Sequence, residues 1–295
     1  MRPWILFAVC CCELRADERT QRLAASLSEQ ADAFRKVAPD LVGQETLFQR
    51  AMKPTKGGLH LRVGASAQKP LEPVWQERRI LSEYSFASFA GEGGALHELR
   101  RVTSVDGRTV QDSRKAQEEL AAIITAPGDK RKKELLEQFE KYGLVGAVTD
   151  FGQLLLLFNS HDVMHYEFTY RRTEMQGVAR VLVFGYQQID GPEALTVISA
   201  AHSGEAAQTM RIGGEVWVRE KDFIPVRVTL ATERDQIREE ASVDYVISPY
   251  GALLPFWTEH RELRGGKVVV ENKFSYADFH QFAAASQINF QSVAK

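Results

Sequence analysis

The segment HDVMH, residues 161–165, has a residue spacing that could bind a metal ion. His161 and His165 are four residues apart, and on a helix this spacing places two imidazoles on one face, where they can bind zinc. However, the segment leads into an alternating run that predicts a strand, along which four residues span more than about 13 Å. The glutamate of the zinc-protease pattern is also missing. We therefore predict no metal site, and a metal-dependent hydrolase around the two histidines is the enzymatic alternative.

Other short motifs do not predict a reaction either. DFG at residues 150–152 occurs without the glycine loop, the lysine strand or the catalytic-loop asparagine of a kinase. GGK at residues 265–267 lies between two predicted strands, which favours a hairpin turn over a phosphate-binding loop. The carboxylates Glu239, Glu240 and Asp244 alternate between two strand faces, which is typical of solvated strand edges. The sequence contains no G-x-S-x-G elbow. We predict no catalytic residue and no cofactor, and hence a protein that is not an enzyme.

Composition and charge indicate a globular protein without a nucleic-acid partner. The chain has 295 residues, of which 44% are hydrophobic and 26% charged, and its net charge is -2. This composition is ordinary for a folded domain. Nucleic-acid-binding domains carry a concentrated positive charge, which this chain lacks.

The first sixteen residues resemble a secretory signal peptide. Arg2 precedes the nine-residue apolar run WILFAVCCC, and Ala16 provides a small residue at the end of the segment. The run is too short to span a bilayer. All three cysteines lie inside it, so cleavage near Ala16 would leave a mature chain without thiols. We predict a periplasmic or secreted protein; a lipid anchor on a cysteine and a buried N-terminal strand or helix are the alternatives.

Helical periodicity appears at the N-terminus and again in the middle of the chain. From Thr20 to Val37, an apolar stripe predicts one amphipathic helix that contains Leu23, Leu27, Ala31 and Phe34. Three further helices are predicted at residues 113–125, 129–142 and 150–158. The last of these is apolar on nearly every face, so it must be buried or must cover an apolar surface.

Between and after these helices, the sequence predicts antiparallel strands. Runs of alternating residues joined by short turns begin at Val42 and at residues 79 and 97, and a short strand LHLRV is predicted within the loop of residues 53–73. Beyond Ser160 the strands follow at residues 163–171, 178–189, 195–201, 207–212, 215–220, 225–232, 241–248, 255–263 and 267–276. So many strands joined by short turns predict one long, curved antiparallel sheet.

The succession of features over residues 210–280 resembles one known superfamily. A strand with Trp217 leads through a charged turn to a strand that starts at Pro225. The later features are Asp244–Tyr245, Tyr250–Gly251, Leu254–Pro255, the turn Gly265–Gly266 and the aromatic segment at residues 274–279. This order resembles the LolA/LolB-like periplasmic lipoprotein carriers, the outer-membrane lipoprotein-sorting superfamily.

The resemblance implies an α+β fold in which an N-terminal helix and a central helical lid cover a strongly curved, incomplete β-barrel. We expect one such domain over residues 17–295, with a helical insertion at residues 113–158. An open curved sheet leaves a concave apolar face that helices or a ligand must fill. The implied function is a carrier whose partners are an acyl chain or apolar small molecule, and a membrane or a lipoprotein. The candidate ligand-binding residues are Phe151, Leu154, Leu155, Phe158, Trp217 and Phe256. The alternative is a non-catalytic structural or interaction module with a filled interior.

Overall fold

The computed structural model describes residues 5–53, 74–90, 95–144, 150–191, 195–197, 208–234 and 236–282. The predicted strand LHLRV, residues 59–63, lies outside these ranges. Among the described residues, no helix has an apolar stretch long enough to cross a membrane.

Three α-helices and three short 3-10 helices are present in the described residues. The α-helices are α1 (Ile5–Val37), α2 (Ser113–Thr125) and α3 (Lys130–Tyr142). The 3-10 helices are Ala38–Asp40, Leu154–Phe158 and Val163–His165. The predicted α-helices α2 and α3 are thus confirmed, whereas the third predicted helix forms only one 3-10 segment. The side chain of Asp112 accepts a hydrogen bond from the backbone of Lys115 at 3.1 Å, which caps the start of α2.

The strands are more numerous than the helices and make up most of the described chain. They are β1 (Leu41–Met52), β2 (Trp75–Ser88), β3 (Leu96–Val105), β4 (Arg108–Thr109), β5 (Tyr166–Gln176), β6 (Ala179–Gln188), β7 (Leu195–Val197), β8 (Gln208–Met210), β9 (Gly213–Arg219), β10 (Pro225–Arg234), β11 (Ile237–Ile247), β12 (Leu253–Arg264) and β13 (Lys267–Gln281).

Eleven strands form one antiparallel sheet in the order β4-β3-β2-β1-β13-β12-β11-β10-β9-β6-β5, and β7 pairs with β8 separately. Register shifts interrupt several pairings, for example between Asp244 and Tyr245 in β11. Such bulges bend a strand and increase its twist. The edge strands β4 and β5 are not paired with each other in the described residues. The predicted fold class, an open antiparallel sheet with an N-terminal helix, is confirmed.

Helix α1 covers one face of the sheet, which we call the inner face. Its predicted apolar stripe is confirmed, because Leu23, Leu27, Ala31 and Phe34 are fully buried in the main hydrophobic cluster. The rings of Phe34 and Phe86 meet edge to face, with their centroids 5.0 Å apart. The hydroxyl of Ser26 donates to the carbonyl of Phe223 at 2.9 Å, which ties the helix to the end of the β9–β10 hairpin.

Helix α2 lies on the opposite, outer face, which corrects the prediction that all the central helices lie over the concave face. Its Leu120 belongs to a second hydrophobic cluster with Val42, Ala87 and Leu99. These strand residues alternate with the residues of the inner face, so their side chains point outward. The side chain of Ser113 donates a hydrogen bond to Glu83, another outward-facing residue of β2.

Helix α3 lies across the free edge of β3. The short strand β4 pairs only with Ser104 and Val105 of β3, so the first part of β3 has no strand neighbour there among the described strands. Leu135 of α3 packs in the outer cluster, whereas Phe139 packs in the inner one. A helix that contributes to both faces covers the edge, and covered edges do not pair with other chains.

Candidate functional site

The candidate site is built around residues 150–158, which we call the plug segment. Its Phe151 ring stacks on the imidazole of His260 in β12, with centroids 4.5 Å apart. The hydroxyl of Tyr245 in β11 donates to the carbonyl of Gly152 at 3.1 Å and accepts from the amide of Leu155 at 2.9 Å. One buried tyrosine therefore fixes the middle of the plug segment against the inner face of the sheet.

The end of the plug segment is held by an aromatic cluster. Phe158 is fully buried. Its ring meets Tyr166 at 5.1 Å, Phe168 at 5.6 Å and Tyr186 at 5.0 Å between centroids. Such aromatic pairs contribute more stability than the burial of their apolar surface alone would give. The hydroxyl of Tyr186 donates to the carbonyl of Thr229 at 2.7 Å, so this buried polar atom has a partner.

An open cavity of about 310 Å³ lies beside the plug segment, between α1, the start of β3 and the start of β5. Its apolar lining includes Leu96, Phe151, Leu154, Leu156, Leu157 and Leu230, and its polar lining includes Arg35, Asp150, Gln153, Asn159, Asp162 and His165. This volume lies at the lower end of the range for small-molecule sites. The mixture of side chains suits a molecule with both an apolar and a polar part.

Four of the six predicted ligand-binding residues lie together in the plug segment, and two of them line this cavity. Phe151 and Leu154 line the cavity, while Leu155 and Phe158 are fully buried in the core. Their proximity follows from their common segment, which the sequence analysis predicted to be buried. Ligand binding by these four residues stays a prediction.

The other two predicted residues do not line the concave face. Trp217 alternates with the buried Val216 and Val218, so it faces outward, where the guanidinium groups of Arg172 and Arg227 lie over its ring. Phe256 lies at a bulge of β12 and is 55% exposed. Both residues were predicted from the strands that contain them, and strand membership does not decide which face a side chain occupies.

A buried ionic group, absent from the predicted site residues, lies next to the plug segment. Arg100 of β3 donates from Nε to both carboxylate oxygens of Glu45 in β1, at 2.8 and 2.9 Å. Its Nη2 donates to Oε2 of Glu98, and its Nη1 lies 4.0 Å from Asp150 in the plug segment. The guanidinium also lies over the rings of Tyr84, Phe139 and Phe274.

The carboxylates of this group have raised pKa values. Burial raises the pKa of Glu98 to about 8, and Arg100 opposes that increase. Burial also raises the pKa of Glu45, again against the effect of Arg100. Both shifts follow from removing a charge from water. At neutral pH, Glu98 is therefore mostly protonated.

A row of buried polar side chains crosses four strands beside this ionic group. Glu239 accepts from Nε2 of His260 at 2.7 Å, while Nδ1 of that ring accepts from Asn272 at 3.1 Å. Gln49 donates to the side-chain oxygen of Asn272 at 2.8 Å, and its own oxygen accepts from the amide of Leu144. Every member has a partner, so the row specifies the register of the strands without leaving a group free for chemistry.

The structure corrects the interpretation of Glu239 as a residue of a solvated strand edge, whereas Glu240 and Asp244 are partly exposed. Glu239 is buried in the polar row. Glu240 contacts Arg238 at 2.8 Å, and Asp244 binds Arg227, with Nη2 to Oδ2 at 2.9 Å.

The HDVMH segment forms a 3-10 turn before β5, so the strand starts one residue after it. His165 contacts Asp190, with Nδ1 and Oδ1 2.5 Å apart. Exposed His161 lies outside this contact. In the part of the chain that the structure describes, no three His, Cys, Asp or Glu residues form a group that could hold a metal ion.

Strand alternation was the signal that could have found the buried ionic group. In HELRRV, Glu98 and Arg100 share a strand face with the apolar Leu96 and Val102. Charged residues on an apolar face are either paired or functional.

Of three comparisons with known proteins, only the comparison with solved structures finds similar proteins. Neither a protein family model nor a curated protein matches the sequence. A LolA superfamily protein from Nitrosomonas europaea matches with 12% identity and a TM-score of 0.33, over 90% of this chain and 96% of that chain. A DUF1329 family protein from Desulfovibrio piger matches with 10% identity and a TM-score of 0.36, over 88% and 94%. A putative outer membrane lipoprotein-sorting protein domain from Vibrio parahaemolyticus matches with 9% identity and a TM-score of 0.32, over 90% and 97%.

Proposed function

We propose that this chain is an exported binding or carrier protein that holds an acyl chain or another apolar ligand between the inner face of its sheet and the plug segment. The observation that carries this proposal is the plug segment itself, an apolar stretch beside an open cavity of about 310 Å³. Withdrawal of the plug segment would add the volume of Phe151, Leu154 and Leu155 to that cavity. The enlarged space would suit an acyl chain.

The local structure of the plug segment supports this movement. It contains one 3-10 helix of five residues, Leu154–Phe158, and 3-10 helices have weaker hydrogen-bond geometry than α-helices. Its apolar side chains each gain about 1.5–3 kcal/mol from burial. An acyl chain in the same place would bury a comparable apolar surface and would offset that loss.

The proposed source or acceptor of the ligand is a membrane or an acylated lipoprotein, because a free acyl chain is poorly soluble in water. The signal-like segment at residues 1–16 supports a role outside the cytoplasm.

One observation favours a second candidate, a structural or interaction module. The interior of the described structure is already filled by α1 and the plug segment, since Leu23, Leu27, Leu155 and Phe158 have no exposed surface. A module of this kind would bind no apolar ligand and would act through its outer surface.

Binding of a fluorescent C12 acyl probe to the purified protein separates the two functions, together with native mass spectrometry and lipid extraction. A carrier binds the probe and retains extractable lipid. Leu154→Asp, which places a charge in the cavity, should abolish probe binding.

Leu154 is nearly buried, so a second variant is needed that preserves the fold. Ala95→Trp introduces a large side chain at an exposed position on the cavity wall. It should weaken probe binding at least tenfold, whereas Ala122→Trp on the outer surface of α2 should leave it unchanged. Absence of both probe binding and bound lipid in the wild-type protein would reject the carrier in favour of the module.

A further inference from the structure

Two buried oxygens without partners face the backbone of the plug segment at Gly152. The Oε1 atom of Glu98 and the hydroxyl of Tyr84 have no hydrogen-bond partner among the described residues, and both side chains are fully buried. A Cβ atom added to Gly152 would lie 2.8 Å from Oε1 and 3.0 Å from the hydroxyl. Buried polar atoms are nearly always paired, so two unpaired atoms at one place require an explanation.

Both oxygens are hydrogen-bond donors at neutral pH. Burial raises the pKa of Glu98 to about 8, so its carboxyl group is mostly protonated. Because Oε2 accepts from Arg100, the proton of the carboxyl group belongs on Oε1. Burial also raises the pKa of Tyr84 well above its usual value, so its hydroxyl keeps its proton. Two donors that face one point match a single acceptor oxygen.

We propose that Glu98 and Tyr84 bind the carbonyl oxygen of an uncharged acyl ester or amide when the plug segment withdraws. This inference rests on the proposed carrier function and specifies its ligand class. The flanking residues Phe151 and Gln153 both line the cavity, so a carbonyl at the position of Gly152 would have its acyl chain in the adjacent space.

The same site disfavours a free fatty acid. The carboxylates Glu45 and Asp150 already share the single guanidinium of Arg100, with Asp150 Oδ1 at 4.0 Å from Nη1. A third carboxylate would enter a region without an unshared positive charge, which is unfavourable at low dielectric. A neutral ester adds no charge and supplies the acceptor that the two donors lack.

The test measures the dissociation constants of monooleoylglycerol and of oleate by displacement of the fluorescent acyl probe at pH 7, with each lipid below its aggregation concentration. We expect the ester to bind at least tenfold more tightly than the carboxylate. Tyr84→Phe should weaken ester binding about five- to tenfold, the usual effect of one lost hydrogen bond, and should leave oleate binding unchanged. Tyr170→Phe, which removes a hydroxyl near the surface of β5, serves as the matched control.

Two further measurements separate recognition from a structural role. Because the Tyr84 hydroxyl has no partner in the closed protein, Tyr84→Phe should not lower the melting temperature. Raising the pH from 7 to 9 should weaken ester binding, since ionised Glu98 is no longer a donor. Glu98→Gln keeps an uncharged donor at this position, so its ester binding should not depend on pH over this range.

The outcomes distinguish this inference from the proposed function. If wild-type protein binds neither lipid nor the acyl probe, the carrier function itself fails. If it binds oleate as tightly as the ester, or if Tyr84→Phe binds the ester normally, the carrier function stands and the assignment of Glu98 and Tyr84 is overturned.

Discussion

At the residue scale, Arg100 is the cation of the buried ionic group on the inner face. Its guanidinium is fully buried and binds Glu45 and Glu98 at the same time. Loss of one partner of a buried ion pair leaves an uncompensated charge, whereas replacement of the whole group by apolar residues is often neutral.

We therefore predict that Arg100→Ala lowers the free energy of unfolding by about 3–5 kcal/mol. Equilibrium unfolding in urea measures this change. Arg101→Ala is the matched control, since Arg101 is partly exposed and pairs with Glu119 at 2.7 Å, and surface pairs contribute about 0–1 kcal/mol. The triple variant Glu45→Leu, Glu98→Leu, Arg100→Met should be more stable than Arg100→Ala. If Arg100→Ala and Arg101→Ala lower the free energy of unfolding equally, the buried charges around Arg100 do not stabilise the fold more than a surface ion pair does.

The raised pKa of Glu98 predicts how stability depends on pH. Burial raises this pKa from 4.5 to about 8, so between these values the folded protein keeps a proton that the unfolded chain has released. Stability therefore decreases as the pH rises through this interval, by up to about 1.4 kcal/mol per pH unit for one group. Burial of Glu45 acts in the same direction.

Urea unfolding at a series of pH values from 5 to 8.5 tests this dependence. The decrease in stability should be smaller in Glu98→Gln, which cannot ionise and can still accept from Arg100 through its amide oxygen. Glu77→Gln, at an exposed position of β2, should retain the wild-type slope. A Glu98→Gln slope equal to that of the wild type would show that Glu98 is not responsible.

At the scale of elements, the plug segment has a glycine, Gly152, where its backbone lies close to side chains of β2 and β3. We predict that Gly152→Ala destabilises the fold by about 1–3 kcal/mol, because the new methyl group would meet Glu98 and Tyr84 at 2.8 and 3.0 Å. Urea unfolding of the single variants and of the double variant with Tyr84→Phe measures the coupling. Removal of the hydroxyl should recover part of the loss, since the two positions are in contact. If the changes in unfolding free energy of the two single variants simply add in the double variant, the added methyl group does not contact the Tyr84 hydroxyl.

The three α-helices have different roles, and these roles follow from the side chains that they present. Helix α1 presents one apolar stripe and lies on the inner face. Helix α2 presents Leu120 to the outer face, and α3 presents Leu135 and Phe139 to opposite faces. The central helices α2 and α3 therefore protect the edge and outer surface of β2 and β3, and the plug segment packs beside α1 over the inner face.

At the scale of the whole molecule, the sequence predicted the elements more closely than their positions. Hydrophobic periodicity is a local property, and it predicted α2, α3 and the β9–β10 hairpin close to their observed bounds. For α1 it predicted the end at Val37, whereas the observed helix begins at Ile5 and not at the predicted Thr20. The position of α2 depends on which face of β2 and β3 is apolar. Both faces are apolar there, since Tyr84 and Ala87 are buried on opposite sides, so periodicity could not decide between them.

From the sequence, only those site residues that lie in one continuous segment could be predicted. Phe151, Leu154, Leu155 and Phe158 are neighbours in sequence, and their burial followed from their composition. Glu45 and Arg100 are 55 residues apart and meet through the pairing of β1, β2 and β3. A local sequence pattern does not predict the register in which three strands pair. The contact between Glu45 and Arg100 could therefore be identified only in the folded structure.

The proposed export of the whole molecule can be tested at its N-terminus. We predict that residues 1–16 are removed, so that the exported protein starts at Asp17 and contains no cysteine, because all three cysteines lie at residues 10–12. Intact mass spectrometry of protein recovered outside the cytoplasm, before and after iodoacetamide treatment, measures both properties. The mature mass should match residues 17–295 and should not change with the reagent. A diacylglyceryl mass on a cysteine would indicate a lipid anchor instead, and a full-length chain that reacts with iodoacetamide would reject cleavage.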